Sequence, residues 1–259
     1  MFKNIFRGIR AYGGSFQLIS KLGLWKYFGV PILISLLTFA LVGFTAYGLS
    51  DNIGGIIAKA WVWEWGSETF RTISDVFGGI LIVVIGFILY KHIIMALSAP
   101  FMSPVSEKIE AHLLGELHEH RNTKFTAQLW RGVRINVRNL FMELLFTIPI
   151  LLFSFIPIIN IFTTVLLFLV QSYYAGFGNM DYTLERHFKY DESLKFVRSH
   201  SGIAMGNGIV FMAMLFIPVI GIILVLPLSV TASTTETVRL IQESGRMKIA
   251  EKNATKIEA

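Results

Sequence analysis

Two long apolar segments of the chain, residues 144–170 and 202–233, contain no charged residue, and each carries a proline well inside it. The two prolines stand in nearly repeated stretches, Pro157 in "FIPIINI" and Pro218 in "FIPVIGI". Uncharged segments of this length are long enough to cross a bilayer. Proline, however, removes a backbone donor and breaks or kinks a helix. Each segment is therefore either one kinked transmembrane helix or a helical hairpin that enters the membrane and returns on the same side.

The composition is that of a membrane protein. The chain is 54% hydrophobic and only 15% of its residues are charged, whereas about a quarter are charged in soluble proteins. Two further segments predict full transmembrane helices, since residues 27–50 contain no charge and residues 76–102 contain only Lys91. We therefore expect an all-α integral membrane protein with two long transmembrane helices followed by the two proline-broken segments.

Lys and Arg are distributed unevenly among the segments that flank the apolar ones. The stretch up to Lys26 holds five and residues 108–138 hold six, whereas residues 51–75 hold two. Cytoplasmic segments are enriched in these residues, so we expect the N-terminus and residues 103–138 inside the cell and residues 51–75 outside. The pair Ser103-Pro104 is typical of a helix start. It predicts a separate amphipathic helix there, followed by a basic linker.

The same rule favours hairpins over kinked spans. Residues 179–201 and the charged tail 240–259 are both rich in Lys and Arg. Both lie inside the cell only if each proline-broken segment returns to the side from which it started. The two predicted hairpins cover residues 139–178, turning at Pro157, and residues 202–239, turning at Pro218. A turn inside lipid exposes unpaired backbone groups unless protein covers it, so we expect the hairpins to meet each other, or their oligomeric mates, at their tips. We also expect both termini to be cytoplasmic.

Residues 1–22 form an amphipathic pattern. Apolar side chains recur at helical spacing, with cations on the other side: Phe2, Ile5, Phe6 and Ile9 against Lys3, Arg7 and Arg10. Such a helix either lies in the lipid headgroup region or packs on the cytoplasmic face of the protein itself. The sequence leaves both arrangements open.

Several stretches carry a resemblance to a known family. They are "SAPFMSPVSEKIEAHLLG", "GNMDYTLERHFKYDESLKFVRSH" and the two proline-broken segments. Together they resemble the CysZ family of bacterial sulfate permeases, also called the etoposide-induced-domain family, over about residues 23–239. The resemblance implies two long transmembrane helices and two hairpins that penetrate the bilayer only partly. It also implies homo-oligomeric assembly in the bacterial inner membrane and passive passage of sulfate into the cytoplasm for cysteine synthesis.

The resemblance further implies an anion-binding motif at the start of the first transmembrane helix. In the family it is a glycine and a leucine or isoleucine followed by two basic residues, and here it reads Gly23, Leu24, Trp25, Lys26. Trp25 stands where the family has a basic residue. Backbone N–H groups at a helix start, together with a cation, form a cradle for an anion. The alternative role for Lys26 is an interfacial anchor whose ammonium group reaches the headgroups.

Polar residues in the second predicted transmembrane helix and at or within the two hairpins are candidates for an ion path or for contacts between helices. They are Lys91, Glu143, Asn160, Gln171 and Asn207. For Lys91 the alternative is a side chain that snorkels to the cytoplasmic interface, where we also expect His92. Asn160 is positioned to cap the second arm of its hairpin.

No sequence motif indicates catalysis. The chain has no cysteine, no HExxH motif and no glycine-rich phosphate loop, so we expect no catalytic residue, cofactor or metal. The histidines and glutamates of "EAHLLGELHEHR" are interpreted as a solvated charged face, and we expect no nucleic acid partner. The predicted function is a channel or permease for sulfate or a similar anion, embedded among membrane lipids as a homo-oligomer. The alternative is a non-transporting membrane scaffold of the same fold.

Overall fold

The computed structural model describes residues 1–59, 66–115, 124–154, 156–217 and 220–245, and within these ranges the chain is helical without a strand. The predicted all-α class is confirmed. The elements are α1 Phe2–Arg10, α2 Ser15–Lys21, a 3-10 turn Leu24–Tyr27, α3 Gly29–Ala58, α4 Ser67–Leu114, α5 Phe125–Ser154, α6 Pro157–His187, α7 Tyr190–Ser199, α8 Ser201–Leu215 and α9 Ile220–Glu243. Within α4 and α6, the stretches Ile85–Leu114 and Ile158–His187 are long and apolar enough to cross a membrane.

Helices α3 and α4 form an antiparallel pair. The hydroxyl groups of Ser35 and Tyr90 hydrogen-bond at 2.5 Å. Further along α3 and earlier in α4, Val42 lies so close to Gly86 that a Cβ on the glycine would come within 2.6 Å of its side chain. Because the contacts run in opposite directions along the two helices, α3 leads away from the N-terminal region and α4 leads back.

Helix α4 is longer than expected, because it continues through two prolines. It runs from Ser67 to Leu114 with Pro100 and Pro104 inside it, so the predicted helix start at Ser103 is wrong. Packing against α6 outweighs the local signal: the guanidinium of Arg186 donates to the Ser103 carbonyl (3.3 Å) and to the neighbouring Ser106 hydroxyl (2.7 Å). Tertiary contacts of this kind allow proline inside membrane helices. The predicted basic linker is likewise helical, since α5 begins at Phe125.

Helices α5 and α6 form an antiparallel hairpin with arms of 30 and 31 residues. The chain turns after Ser154, where Ile156 has an extended backbone (φ −87°, ψ 113°) and Pro157 opens α6. The contacts between the arms run in opposite directions along them. Arg131 pairs with Asp181, Asn136 lies beside Gly178, and Glu143 and the Gln171 carbonyl both accept from Lys91. Proline suits the first turn of α6 because no helical donor is required there.

Asn160 does not cap α6, contrary to the prediction. The N-cap position is occupied by Ile156, whose side chain makes no capping hydrogen bond. Asn160 lies one turn into the helix, where its Oδ1 accepts a hydrogen bond from the Thr164 hydroxyl (3.1 Å). Its side chain is therefore bonded within the exposed tip of the hairpin.

Helices α8 and α9 form a second antiparallel hairpin, with arms of 15 and 24 residues. The Asn207 amide donates to the Ser229 carbonyl (3.1 Å). Nearer the turn, a Cβ on Gly221 would stand 1.9 Å from the Met214 carbonyl oxygen. Pro218, the second predicted turn residue, lies outside the described residues.

The two hairpins meet along α6 and α8. A Cβ on Gly208 would lie 1.6 Å from the Ser172 carbonyl oxygen, and one on Gly176 would lie 1.7 Å from that of Ala204. Only glycine allows two helix backbones to approach this closely. The contacts run in opposite directions, so both hairpins point their turns toward the same end of the molecule.

The helices reach different heights toward that end. Lys91 of α4 and Gln171 of α6 share one level, since the lysine donates to the Gln171 carbonyl (3.3 Å). At 1.5 Å per residue, α4 extends about 36 Å from that level to its start, and α6 extends about 21 Å to Pro157. Helix α8, level with Ser172 at Gly208, extends only about 10 Å to Leu215. The first hairpin is thus shorter than the α3–α4 pair, and the second is shorter still.

Helix α1 packs on the protein through a glycine face. A Cβ on Gly8 would lie 2.5 Å from the Ile203 carbonyl oxygen, and one on Gly206 would lie 2.1 Å from that of Ile5. Phe2 and Phe6 point away, with 80% and 64% of their surface exposed. Of the two arrangements that the sequence left open, the contacts with α8 match packing on the protein, while the exposed phenylalanines leave an apolar face free.

Candidate functional site

The predicted anion-binding motif lies on the 3-10 turn between α2 and α3. Gly23 has a left-handed backbone (φ 61°), a conformation that favours glycine. Leu24 is fully buried and anchors the turn in the core. Lys26 is exposed. The turn therefore holds its leucine inward and its cation outward, at the start of α3.

Trp25 has a packing role in this turn. Its indole Nε1 donates to the Ser20 hydroxyl (3.1 Å). Its ring makes edge-on contacts with Phe16 and Phe28, at centroid distances of 5.3 Å and 6.3 Å. The indole N–H already has an acceptor, so Trp25 does not supply the donor that a basic residue would offer an anion at this position.

A second cation reaches the motif from α4. The ammonium groups of Lys26 and Lys108 lie 5.4 Å and 5.8 Å from the ring centroid of Tyr27, within the range of a cation–π contact. No carboxylate of the described residues lies within 4.0 Å of either ammonium group. Sequence reasoning missed Lys108, because nothing in the α4 sequence indicates which residue of the 3-10 turn it meets.

Lys91 and Glu143 form a fully buried ion pair. The Lys91 ammonium group lies 2.7 Å from Glu143 Oε1 and also donates to the Gln171 carbonyl. Neither side chain has exposed surface, so the snorkelling interpretation of Lys91 is wrong. The structure thus brings three of the predicted polar residues together where α4, α5 and α6 meet.

His92 completes this cluster. Its Nε2 lies 3.0 Å from Glu143 Oε2, and its Nδ1 lies 3.4 Å from Asn136 Oδ1. The imidazole is 3% exposed, so its predicted interfacial position is also wrong. Both carboxylate oxygens of Glu143 are occupied by neighbours. The cluster is internally paired and ties three helices together.

Asn207 belongs to a separate hydrogen-bond network. Its Oδ1 accepts from the Asn179 amide (2.8 Å), and its own amide donates to α9. Its backbone carbonyl accepts from the Tyr12 hydroxyl (2.9 Å). Asn207 therefore links α6, α8 and α9, as expected for a polar side chain that joins helices.

A second charged cluster lies at the base of the first hairpin. Glu110 is fully buried, 2.7 Å from Arg186 Nη2 and 2.6 Å from His187 Nε2. The interpretation of this charged stretch as a solvated face is therefore wrong at Glu110. Arg131 forms a bidentate pair with Asp181 (2.8 and 3.0 Å). The sequence offered one signal for these pairs, namely opposite charges on segments predicted to lie on the same side of the membrane.

Among the described residues, no group of three metal-ligating side chains is close enough to hold a metal ion. His118 and His120, which the sequence placed in the charged stretch after α4, lie outside the described residues.

Comparison with known proteins identifies relatives along nearly the whole chain. The family described as Sulfate transporter CysZ/Etoposide-induced protein 2.4 matches residues 11–225. The chain is 26% identical over 245 residues to the sulfate transporter CysZ of Pseudomonas aeruginosa strain LESB58, covering 93% of the chain and 98% of the relative. It is 27% identical over 236 residues to that of strain PAO1, covering 90% and 94%. The corresponding protein of Pseudomonas paraeruginosa strain PA7 is 26% identical over 236 residues, with the same coverage.

Proposed function

The chain belongs to the sulfate transporter CysZ/etoposide-induced protein 2.4 family, and from that premise we propose that it carries sulfate or a related oxyanion across the bacterial inner membrane into the cytoplasm. The transported anion then feeds sulfur assimilation. The observation that carries the proposal is the pair of ammonium groups at Tyr27, which belong to Lys26 and Lys108. Neither cation has a carboxylate partner among the described residues, and two such cations match the two charges of sulfate.

Lys108 takes the place of the basic residue that Trp25 replaces. Gly23 and Leu24 position the turn, Lys26 supplies one charge from it, and Lys108 supplies the second from α4. A lysine is a point charge and does not reproduce the bidentate geometry of arginine. We therefore expect weaker and less selective oxyanion binding than an arginine would give.

Passive passage agrees with the way the charges are arranged. An ion that crosses a channel must be bound well enough to enter and weakly enough to leave. The exposed lysines at Tyr27 meet that condition, whereas the buried charge of Lys91 is neutralised by Glu143. We propose that the anion is collected at the 3-10 turn and does not dwell at the Lys91 cluster.

We further propose that both hairpins enter the bilayer only partly and that copies of the chain assemble around the path. The unequal heights of α4, α6 and α8 support partial insertion. Arg7 of α1 is bonded to Glu243 at the end of α9 (2.7 Å), which supports both termini lying on one side. The tip of the first hairpin exposes Ile158, Ile161 and Phe162 at 84%, 74% and 74%, an apolar surface suited to lipid or a second copy.

One observation favours the alternative, a membrane scaffold that transports nothing. One of the two basic residues of the family motif is absent from the turn, and the Trp25 that replaces it is committed to packing with Ser20 and Phe16. A scaffold needs the hairpins and the exposed α1 face but needs no cations at Tyr27.

Uptake of radiolabelled sulfate into liposomes containing the purified chain separates the two functions. We expect uptake above that of protein-free liposomes, and a roughly threefold to tenfold decrease for Lys26→Gln/Lys108→Gln, since each exposed ion contact contributes up to about 1 kcal/mol. The matched control Lys3→Gln/Lys195→Gln removes two exposed charges elsewhere and should leave uptake unchanged. Uptake equal to that of protein-free liposomes would favour the scaffold.

A further inference from the structure

An apolar groove of about 640 Å³ lies between the N-terminal helix and the first hairpin. It is formed by α1, α5, α6, α7 and α8. Its apolar wall includes Phe146, Leu166, Leu169 and Val170, and its other end is lined by Arg138, Arg198, Tyr173 and Tyr174. The groove is therefore apolar along most of its length and basic at one end.

The two arginines lack a carboxylate partner among the described residues. Arg138 is half-buried and donates only to the side-chain oxygen of its neighbour Asn139 (2.9 Å), and its guanidinium lies 5.4 Å from the Phe177 ring centroid. Arg198 is exposed at the end of α7. By contrast, carboxylates pair with four other arginines: Arg7, Arg131, Arg186 and Arg239. The basic end of the groove thus carries two charges that the described part of the chain does not neutralise.

Tyr174 provides an independent indication of a ligand. Only 5% of the surface of Tyr174 is exposed, and the residue lines the groove. Within the described ranges its hydroxyl makes no hydrogen bond, so it is available to donate to a ligand in the groove. Arg138 and Arg198 are also lining residues, so the hydroxyl and the two cations line the same groove.

The basic and apolar ends of the groove are arranged like the phosphate and the acyl chains of a lipid in the inner leaflet. Arg138 and Tyr174 lie toward the base of the first hairpin, on the side that the positive-inside rule assigns to the cytoplasm. Phe146 and Leu166 lie closer to the turn at Pro157, which points into the bilayer. A lipid of the inner leaflet has its phosphate at the first level and its acyl chains at the second.

We propose that this groove binds a phospholipid with an anionic headgroup. The phosphate accepts hydrogen bonds from the guanidinium groups of Arg138 and Arg198 and from the Tyr174 hydroxyl, and an acyl chain lies along α5 and α6. A guanidinium group can donate two parallel hydrogen bonds to a phosphate, and basic pockets between membrane helices bind anionic lipid headgroups. A free inorganic anion shares the phosphate chemistry but makes no use of the apolar wall. The site is separate from the lysines at Tyr27.

Native mass spectrometry of the full chain in detergent tests this proposal. The protein is delipidated and incubated with phosphatidylglycerol, phosphatidylcholine or glycerol 3-phosphate. We expect phosphatidylglycerol to bind at least about fivefold more tightly than phosphatidylcholine, and glycerol 3-phosphate not to be retained. Arg138→Gln/Arg198→Gln should weaken phosphatidylglycerol binding about tenfold, a loss expected for removing two charge-assisted contacts that are partly exposed to solvent.

Two further variants make the outcome decisive. Arg10→Gln/Lys195→Gln removes two exposed cations outside the groove and should leave binding unchanged. Leu169→Trp fills the apolar wall while keeping both arginines, and should also weaken phosphatidylglycerol binding. Equal retention of the two lipids, unchanged binding in the double arginine variant, or retention of glycerol 3-phosphate at the same level would each overturn the proposal. Circular dichroism of every variant confirms that the helices are intact.

Discussion

Replacing Lys91 with methionine would leave the buried carboxylate of Glu143 without its main cation. The ammonium group lies 2.7 Å from Oε1, and both side chains are fully buried. At an effective dielectric constant of about 20, this distance corresponds to an attraction of about 6 kcal/mol, much of which offsets the cost of desolvating two charges. Removing one partner of such a pair costs about 3–5 kcal/mol, whereas replacing both by apolar residues of similar volume is close to neutral.

Thermal unfolding of the purified protein, followed by circular dichroism in detergent, measures this difference. For a chain of this size, 1 kcal/mol shifts the midpoint by about 2–4 °C. We therefore expect Lys91→Met to lower the midpoint by about 6–20 °C and Lys91→Met/Glu143→Met to lower it much less. Leu89→Met, at a partly exposed position two residues earlier, controls for a methionine in α4. If the single and double variants unfold at the same temperature, the pair is not the contact that joins α4 to α5.

Three further predictions concern helix contacts and topology. Gly208→Ala places a Cβ 1.6 Å from the Ser172 carbonyl oxygen and should destabilise the chain by about 3 kcal/mol or more. The control Gly43→Ala meets no atom within 4 Å and should be neutral or stabilising. Thermal unfolding curves compare the two variants, and equal midpoints would contradict the close helix contact. The hydrogen bond from Arg7 lowers the pKa of Glu243 below its ordinary 4.5, so this ion pair between α1 and α9 is fully formed above a pH of about 4.5 and is lost as the pH falls through the lowered pKa. On acidification to a pH of about 3, the wild type should lose up to about 1 kcal/mol more stability than Glu243→Gln. An equal loss would show that the ion pair contributes nothing. Lys189→Cys introduces a single thiol into a chain without cysteine, and a membrane-impermeant maleimide should label it in inside-out vesicles but not in intact cells; labelling of intact cells would restore the kinked-span interpretation.

The parts of the fold that depend on composition and local sequence could be predicted from the sequence. The helical class follows from long uncharged segments, and the break before α6 falls at Pro157 because proline acts through its own backbone. The resemblance to the family rested on short motifs spread along the chain, and the match over residues 11–225 confirms it.

The parts of the fold and of the site that depend on contacts with residues distant in sequence could not be predicted. For Lys91 the sequence leaves a helix contact and a snorkelling side chain both open, because it does not place Glu143 beside the lysine. Glu110 was assigned to a solvated face because Arg186 and His187 are supplied by another helix. The continuation of α4 past Pro104 is decided by contacts with α6, which a local helix-start signal does not contain. In each case packing between helices, and not the neighbouring sequence, determines the local structure.

The most direct test of anion transport is the initial rate of sulfate uptake into liposomes at increasing ratios of protein to lipid. We expect the rate to rise in proportion to the protein for the wild type and to fall severalfold for Lys26→Gln/Lys108→Gln, with Lys3→Gln/Lys195→Gln matching the wild type. A wild-type rate that stays at the level of protein-free liposomes at every ratio would contradict sulfate transport by this chain.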